Sequence, residues 1–516
     1  MIYATRDQTK RKHLGLAIDF RKACRKSATE RMNMLIEDYN IASWIISKTL
    51  ALAYFVAFLS LLPQVLGLYG SQGILSIDHL LNLLDKELKA ERFYHVPSLF
   101  WFSSGDLTLK LFCFIGMTAS SLAFLGFSQS FMFLTCFICY LSFVSCGQIF
   151  LSYQWDSLLL ELGFLGLFFA PWQWEWIPLA AHNLHPIMLG LVIFLLFKLM
   201  FLSGVVKLTH KDGSWKDLTA LTYHYWTQPL PTPLAYFAHK MPRWFQKVST
   251  VIMFFIELVC PFLMLVPGKT QVIAVALLLS LQFLIILTGN YGFFNLLTIG
   301  LCLAVLPDSA WGFKINWVEA TTLPTPVMLI PALILVPSSL FWILKTLSEN
   351  STKLNFMLPY MRFFYPFRIN NPYGLFAVMT KTRPEVVLQG SNDGLNWEDY
   401  EFQFKPGGLK KAPPVCAPHQ PRMDWQMWFA ALENFNENMW LQNLATRVFE
   451  QSPDVMTLFS KDPFKGTSPR FLRFERYEYR FSDFKDLRQN GQWWERVHSG
   501  SYGPVFGRDD GNGEPA

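Results

Sequence analysis

Apolar residues run in long blocks along the first two thirds of the chain, and block length assigns the structure. Runs of roughly 17–25 mainly apolar residues are what a helix needs to cross a bilayer core. They occupy 43–67, 107–127, 129–151, 184–206, 248–267 and 270–289. Three further runs are less regular. These are 157–172, which is short and contains Glu161, 327–347, and 292–307, which follows Asn290 and Gly292 so closely that it reads as a re-entrant half. The pattern predicts an α-helical polytopic membrane bundle of about nine spans.

From about residue 370 the pattern changes. "LFAVMT", "EVVLQGS" and "YEFQF" read as short strands, with an Asp-Gly turn signal in "SNDGLNW". "DWQMWFAALENF" and "WLQNLATRVFEQ" have helical apolar spacing. "FLRFERYEYRFSDF" alternates like a strand, with a phase slip near Glu475 and Arg476 that reads as a bulge. A soluble α+β domain with a small antiparallel sheet is expected. The predicted organisation is a basic segment 1–40, a transmembrane helical domain 41–347 with an interfacial loop 207–247, a linker 348–369, an outer-side domain 370–507 and a disordered Gly- and Asp-rich tail 508–516.

Composition supports the membrane reading. Only 16% of residues are charged and mean hydropathy is +0.25, against about 25% charged in soluble domains. Nine Lys or Arg but three acids fall within the first 31 residues, where the apolar core of a secretory signal peptide is absent. The positive-inside rule puts that segment in the cytoplasm. This role accounts for its charge, so no nucleic-acid partner is expected. An odd number of crossings then places the C-terminal region outside, although six Lys or Arg in the loop 207–247 pull the other way.

The cysteines do not form a disulfide framework. Cys136 and Cys139 have redox spacing but lie mid-span, where a thiolate finds no positive charge. No metal site is expected: His182 and His185 are three apart, but lack acidic companions and are followed by a helix-interrupting Pro186. Walker, Rossmann and nucleophile-elbow motifs are absent. Asn350-Ser351-Thr352 fits a glycosylation sequon.

The loop 207–247 is rich in aromatics (Trp215, Tyr223, Tyr225, Trp226, Tyr236 and Trp244), which suit a headgroup interface. Ser214 reads as the N-cap of "SWKDL", with Asp217 in its first turn. Between Leu111 and Val206 only Asp156, Glu161, Glu175 and Lys198 are charged. Asp156 reads as a cap for the following helix. Glu161 is committed to the membrane, where an unpaired carboxylate costs about 2.5 kcal/mol or more. It therefore needs a partner, either Lys198 or Lys207, and Ser157 one turn earlier is placed to hydrogen-bond it.

Several blocks together resemble the lipase maturation factor family: "YQWDSLLLELGFL" (153–165), "DLTALTYHYWTQPLPTPLAYFAH" (217–239), "LTGNYGFFNLLTI" (287–299), "RPEVVLQGSNDGLNWEDYEF" (383–402) and "APPVCAPHQPRMDWQMWFAAL" (412–432). The resemblance is collinear from about 45 to 507. It marks Gln154, Trp155, Asp156, Ser157, Glu161, Asp217, His224, Tyr225, Gln228, Pro229, Pro231, Asn290, Tyr291 and Asn295 as signature positions. It implies a multi-pass protein of the endoplasmic reticulum membrane, or of the inner (plasma) membrane in a bacterium, with its C-terminal domain luminal or periplasmic. The implied role is chaperone-like help in folding and assembling exported proteins, prototypically secreted lipases. Partners would be membrane lipids and such a client, with no cofactor and no assigned catalytic residue. Trp425, Trp428 and Trp440 are candidate client contacts, with burial in a core as their ordinary alternative. "SGVVKLTHKDGSW" (203–215) is also similar to a short block of vitamin K-dependent γ-carboxylases. That similarity implies an alternative intramembrane enzyme with Lys207 as base, acting with Glu161, and a quinone or lipid as cofactor. Against it stands a Lys207 that simply snorkels to the headgroups.

Overall fold

The computed structural model describes residues 39–508 apart from 178–179, 182–183, 314–317, 320–322 and 349–351. The basic segment 1–38, His182, the first two sequon residues and the tail from 509 lie outside the described residues.

The membrane region is built, in chain order, from α1 (Asn40–Leu61), α2 (Asp106–Leu125), α3 (Gln129–Cys146), α4 (Gln154–Phe169), α5 (Pro186–Thr209), α6 (Arg243–Leu258, continued by a turn over Cys260–Leu263), α7 (Lys269–Thr288), α8 (Phe294–Ala304) and α9 (Thr325–Leu347). Seven of these are long and apolar enough to cross a membrane; α4 and α8 are not. With 16 and 11 residues, they reach about 24 and 17 Å at 1.5 Å per residue, short of a hydrocarbon core of about 30 Å. The about nine expected spans thus resolve into seven long helices and two short ones. The short helices lie at the centre. α4 packs against α1, α3, α5, α8 and α9, and α8 against α1, α4, α5 and α7. Gly163 of α4 is where the Tyr54 ring of α1 comes closest, and a Cβ there would collide with it.

Two local readings change. Pro186 does not interrupt a helix but opens α5 at its first position, where the missing N–H costs nothing, and His185 caps it through Nδ1 accepting from Ile187 N at 3.3 Å. Pro337 inside α9 removes the donor that Leu333 O would otherwise use. The Tyr360 hydroxyl donates to that carbonyl at 3.0 Å, and the orphaned acceptor is satisfied.

The C-terminal region, called the outer region here for its place outside the helical bundle, centres on a sheet of β1 (Pro384–Ser391), β2 (Glu398–Asp399), β3 (Phe471–Phe481), β4 (Trp494–Ser501) and β5 (Phe506–Gly507), ordered β2-β1-β3-β4 with β5 also on β3, all antiparallel. The expected bulge is present as a register shift between Arg476 and Tyr477 opposite β4. α10 (Arg422–Leu432) packs on β1, and α11 (Trp440–Phe449) follows it. "LFAVMT" is not a strand. Residues 370–379 instead run as a strap across the end of the helical bundle, because their backbone groups are claimed by the bundle. Trp215 Nε1 donates to Phe376 O at 2.9 Å, and Met379 N donates to Asp212 at 2.8 Å. Strand β4 and the amphipathic helix Ile77–Leu88 were not foreseen.

The loop 207–247 is also not a membrane-surface segment as a whole. Trp215, Trp226 and Tyr236 are buried. Trp226 and Tyr236 pack with Tyr479, Phe481 and Trp494 of the sheet, and Tyr236 donates to Ser482 O at 3.0 Å. Trp244 alone among these tryptophans stays exposed. The loop's short helices, Ala220–Thr227 and Pro233–His239, are therefore the seat of the outer sheet. Asp212 rather than Ser214 caps the turn Gly213–Lys216, and Asp217 ends that turn, exposed.

Candidate functional site

The signature residues converge where the outer region meets the bundle, in a set of buried polar clamps. The first joins α4 to α10. Arg422 holds Asp156 bidentately, Nη1 to Oδ2 at 3.0 Å and Nη2 to Oδ1 at 2.8 Å, while Tyr140 of α3 donates to Oδ1 at 2.5 Å. Arg422 also donates to Phe150 O at 2.8 Å, and both ions are sealed from solvent. Asp156 sits in the first turn of α4, as expected, but it does not cap the helix. Its oxygens are spent on Arg422 and Tyr140.

One turn deeper, Glu161 meets Lys198 of α5 at 2.5 Å, the first of its two expected partners. Its other oxygen accepts from the Tyr373 hydroxyl at 2.7 Å and Asn371 N at 3.2 Å, both on the strap. The expected Ser157–Glu161 side-chain hydrogen bond is absent among the described residues; the Ser157 carbonyl instead accepts from Asn371 Nδ2 at 3.4 Å. Gln154 completes this face by accepting from Gly374 N at 3.2 Å. Gly374 lies so near α5 that a Cβ would come within 2.8 Å of Val206.

The third clamp grips the loop. Arg383, fully buried, donates to Trp226 O, Gln228 O and Pro229 O at 2.8, 2.5 and 2.8 Å, and pairs with Glu385 at 2.9 Å. Gln228 in turn accepts from the Tyr291 hydroxyl at 2.6 Å and donates to Thr288 O at 2.8 Å. Pro231 bridges Gly289, and Asn290 fills all its hydrogen-bonding capacity in a fourth clamp. Its amide nitrogen donates to Leu230 O and Pro414 O, and its oxygen accepts from Cys416 N and Ala417 N, all within 3.1 Å. The helix break at Asn290 thus serves attachment. Arg383 and Arg422 were missed as site residues, though both fall inside blocks that carried the family resemblance, and that membership was the available signal.

An aromatic column continues inward from the clamps. Tyr153 stacks on Trp155, Trp155 meets Trp425 edge-on with centroids 4.7 Å apart, and Trp425 meets Tyr291 at 5.8 Å. Tyr291 touches Phe376, which touches His224. Trp425, Trp428 and Trp440 are only 4%, 8% and 5% exposed. They do not present a client surface, because α10 and α11 turn them into the junction, where Trp428 donates to Thr227 O at 2.8 Å. Asn295 donates to Gln282 at 2.9 Å, deeper in the bundle, and Tyr225 lies alongside His224.

Lys207 neither snorkels nor stands free. It is buried and donates to both oxygens of Glu257 on α6 at 2.6 Å, beneath the Trp215 ring. Among the described residues no group of three or more His, Cys, Asp or Glu is placed to hold a metal.

Three histidines at the junction give it a pH response. His224, His239 and His419 are each pushed down to about 4 from 6.5, first by burial and then by Lys207, Lys240 and Arg422 respectively. Ser60 of α1 bonds His419 Nδ1 at 3.0 Å. The unfolded chain binds protons that the folded one refuses. The histidines' contribution is therefore present above about pH 6.5 and is lost as pH falls towards 4. The thermal unfolding midpoint is expected to fall between about pH 7 and pH 5, with His419→Gln flattening part of that slope. A midpoint unchanged over this range would refute the assignment.

Comparison with known proteins agrees with this architecture. The family model for the lipase maturation factor transmembrane domain matches residues 41–313, and that for the lipase maturation factor C-terminal domain matches 369–504. Lipase maturation factor 2 of Xenopus laevis is 34% identical over 578 residues, covering 89% of this chain and 81% of that protein. Lipase maturation factor 1 of Bos taurus is 32% identical over 507 residues, covering 90% and 89%. Lipase maturation factor 2 of Homo sapiens is 32% identical over 571 residues, covering 86% and 80%. No solved structure matches the chain. Nothing in these matches supports the carboxylase similarity around Lys207.

Proposed function

Because the chain belongs to the lipase maturation factor family, we propose that it is a membrane-bound maturation factor for exported proteins, with secreted lipases as clients. The observation that carries the mechanism is the set of buried clamps. Four separate polar nodes hold the outer region against the bundle, so whatever that region binds is kept at the membrane. The reading is a holding mechanism, in which the client is retained beside the bilayer while it folds or assembles. The outer region faces the lumen of the endoplasmic reticulum in a eukaryote or the periplasm in a bacterium. Parity supports this side: from a basic cytoplasmic N-terminus, nine crossings, with the short α4 and α8 counted, bring both the loop 207–247 and the C-terminal region to the outer side, where Tyr236 and Ser482 meet.

Deleting the gene and measuring active secreted lipase tests the role. Loss of activity restored by the wild-type chain supports it, and an unchanged secretome ends it. Client contact in this reading falls to apolar side chains that the outer region leaves in solvent, chiefly Leu395, Val415 and Val497, at 84%, 75% and 70% exposure. Changing all three to Ser is expected to lower lipase activation while moving stability by no more than about 0.5 kcal/mol per site. Full activation by the triple variant would place the contact elsewhere.

A further inference from the structure

A cavity of about 460 Å³ lies between α5, α6, α7 and α8, closed towards the outer region by the helix Ala220–Thr227 and by Leu375 and Phe376 of the strap. Its volume falls within the range of small-molecule sites, about 300–1,000 Å³. Most of its wall is apolar, including Met200, Met253, Leu281, Ile285 and Phe294. Its polar lining includes Lys207, Glu257, His224 and Tyr225, with Gln282, Asn295 and Thr298 on α7 and α8.

Two features of this wall select a ligand. Lys207 and Glu257 neutralise each other through two 2.6 Å contacts, and they are the only permanently charged side chains among the lining residues. The imidazole of His224 makes no hydrogen bond among the described residues, and its Nδ1 is shielded from solvent without a partner. A buried nitrogen left in this state is uncommon in a folded protein. The mouth adds a third constraint. Phe237, Met241, Phe245 and Leu284 line the cavity and are also exposed, so the opening between the start of α6 and the end of α7 is apolar on its outer face. Phe245 and Leu284 lie on helices long and apolar enough to cross a membrane, and an apolar mouth at that position suits entry from the bilayer.

We propose that this cavity binds a single-chain neutral lipid entering from the bilayer, its acyl chain among Met200, Leu281 and Phe294 and its hydroxyl-bearing head hydrogen-bonded to His224 beside the Lys207–Glu257 pair. A hydroxyl supplies both a donor and an acceptor without adding charge, which suits a wall already neutral overall. A free carboxylate would have to compete with Glu257 for Lys207, and a bare hydrocarbon would leave His224 unsatisfied.

The test uses the full chain in nanodiscs and a monoacylglycerol carrying a diazirine in its acyl chain. Labelling is expected on α5, α7 and α8 at cavity positions, competed by monooleoylglycerol and not by hexadecane or oleate. His224→Leu is expected to weaken competition by about ten-fold, the worth of one hydrogen bond. Ser203→Trp, which fills the void, should abolish cavity labelling. Thermal unfolding of each variant checks folding, and Met253→Trp serves as a second filling variant if Ser203→Trp does not fold. Labelling confined to the lipid-facing positions Ile273 and Leu333 overturns the proposal, as does labelling that survives a folded filling variant. Competition by oleate equal to that by monooleoylglycerol overturns the assignment of a neutral head.

Discussion

Arg422→Leu is expected to strip the protein of most of its stable folded form. Arg422 spends its guanidinium on both oxygens of Asp156, on Phe150 O and on the Tyr140 hydroxyl, with no solvent to take over any of these bonds. Removing it leaves the Asp156 carboxylate buried with Tyr140 as its remaining donor. Breaking a buried pair from one side costs about 3–5 kcal/mol, a large share of a typical total of about 5–15 kcal/mol. Arg422→Lys should rescue only part, because one ammonium cannot bridge two carboxylate oxygens in the plane that a guanidinium does. The double change Asp156→Leu with Arg422→Leu should lose less than the sum of the two single changes, since no unpaired ion remains. Thermal unfolding in detergent, arranged as a double-mutant cycle, measures all three. A wild-type midpoint for Arg422→Leu, or strict additivity, would show that the clamp does not hold the two regions together.

This clamp also marks the boundary of what the sequence discloses. Helices α1 to α3, α5 to α7 and α9 are legible because a bilayer sets their length, and no other constraint produces runs of that size. Glu161 disclosed its need for a partner, and Lys198 was available because so few cations lie within the spans. Asp156 misled because a carboxylate in a first turn looks the same whether it caps the helix or meets an arginine from elsewhere. Its actual partner lies 266 residues away, a separation that no periodicity encodes. Trp215, Trp226 and Tyr236 misled for a related reason. A ring with a polar handle suits a headgroup layer and the underside of a protein sheet equally well, and only the tertiary contact with Tyr479, Phe481 and Trp494 decides. "LFAVMT" has strand-like composition, but its backbone groups are claimed by Asp212 and Trp215 before any sheet can use them.

Glu161→Gln is expected to be the second most damaging change, and more damaging than Lys198→Met at the other end of the same pair. The asymmetry follows from what each change leaves behind. Without Lys198, the carboxylate still accepts from the Tyr373 hydroxyl at 2.7 Å and from Asn371 N at 3.2 Å, two bonds that spread its charge. With Gln at 161, the Lys198 ammonium keeps one neutral amide oxygen and the face of Tyr373, 5.1 Å from the ring centroid, and has no counter-charge in a fully buried position. A loss of about 3–5 kcal/mol is expected for Glu161→Gln. Tyr373→Phe, which removes one bond to a charged group, should cost about 1.5–3 kcal/mol. Because Asn371 and Tyr373 belong to the strap, the damage should also have an address. Amides of 370–376 should exchange with solvent faster in Glu161→Gln and Tyr373→Phe than in Arg422→Lys, whose lesion lies at α10. Equal losses for the two ends of the pair would mean that the strap contributes nothing to the carboxylate, and uniform exchange across the three variants would mean that the clamps act as one unit instead of separately.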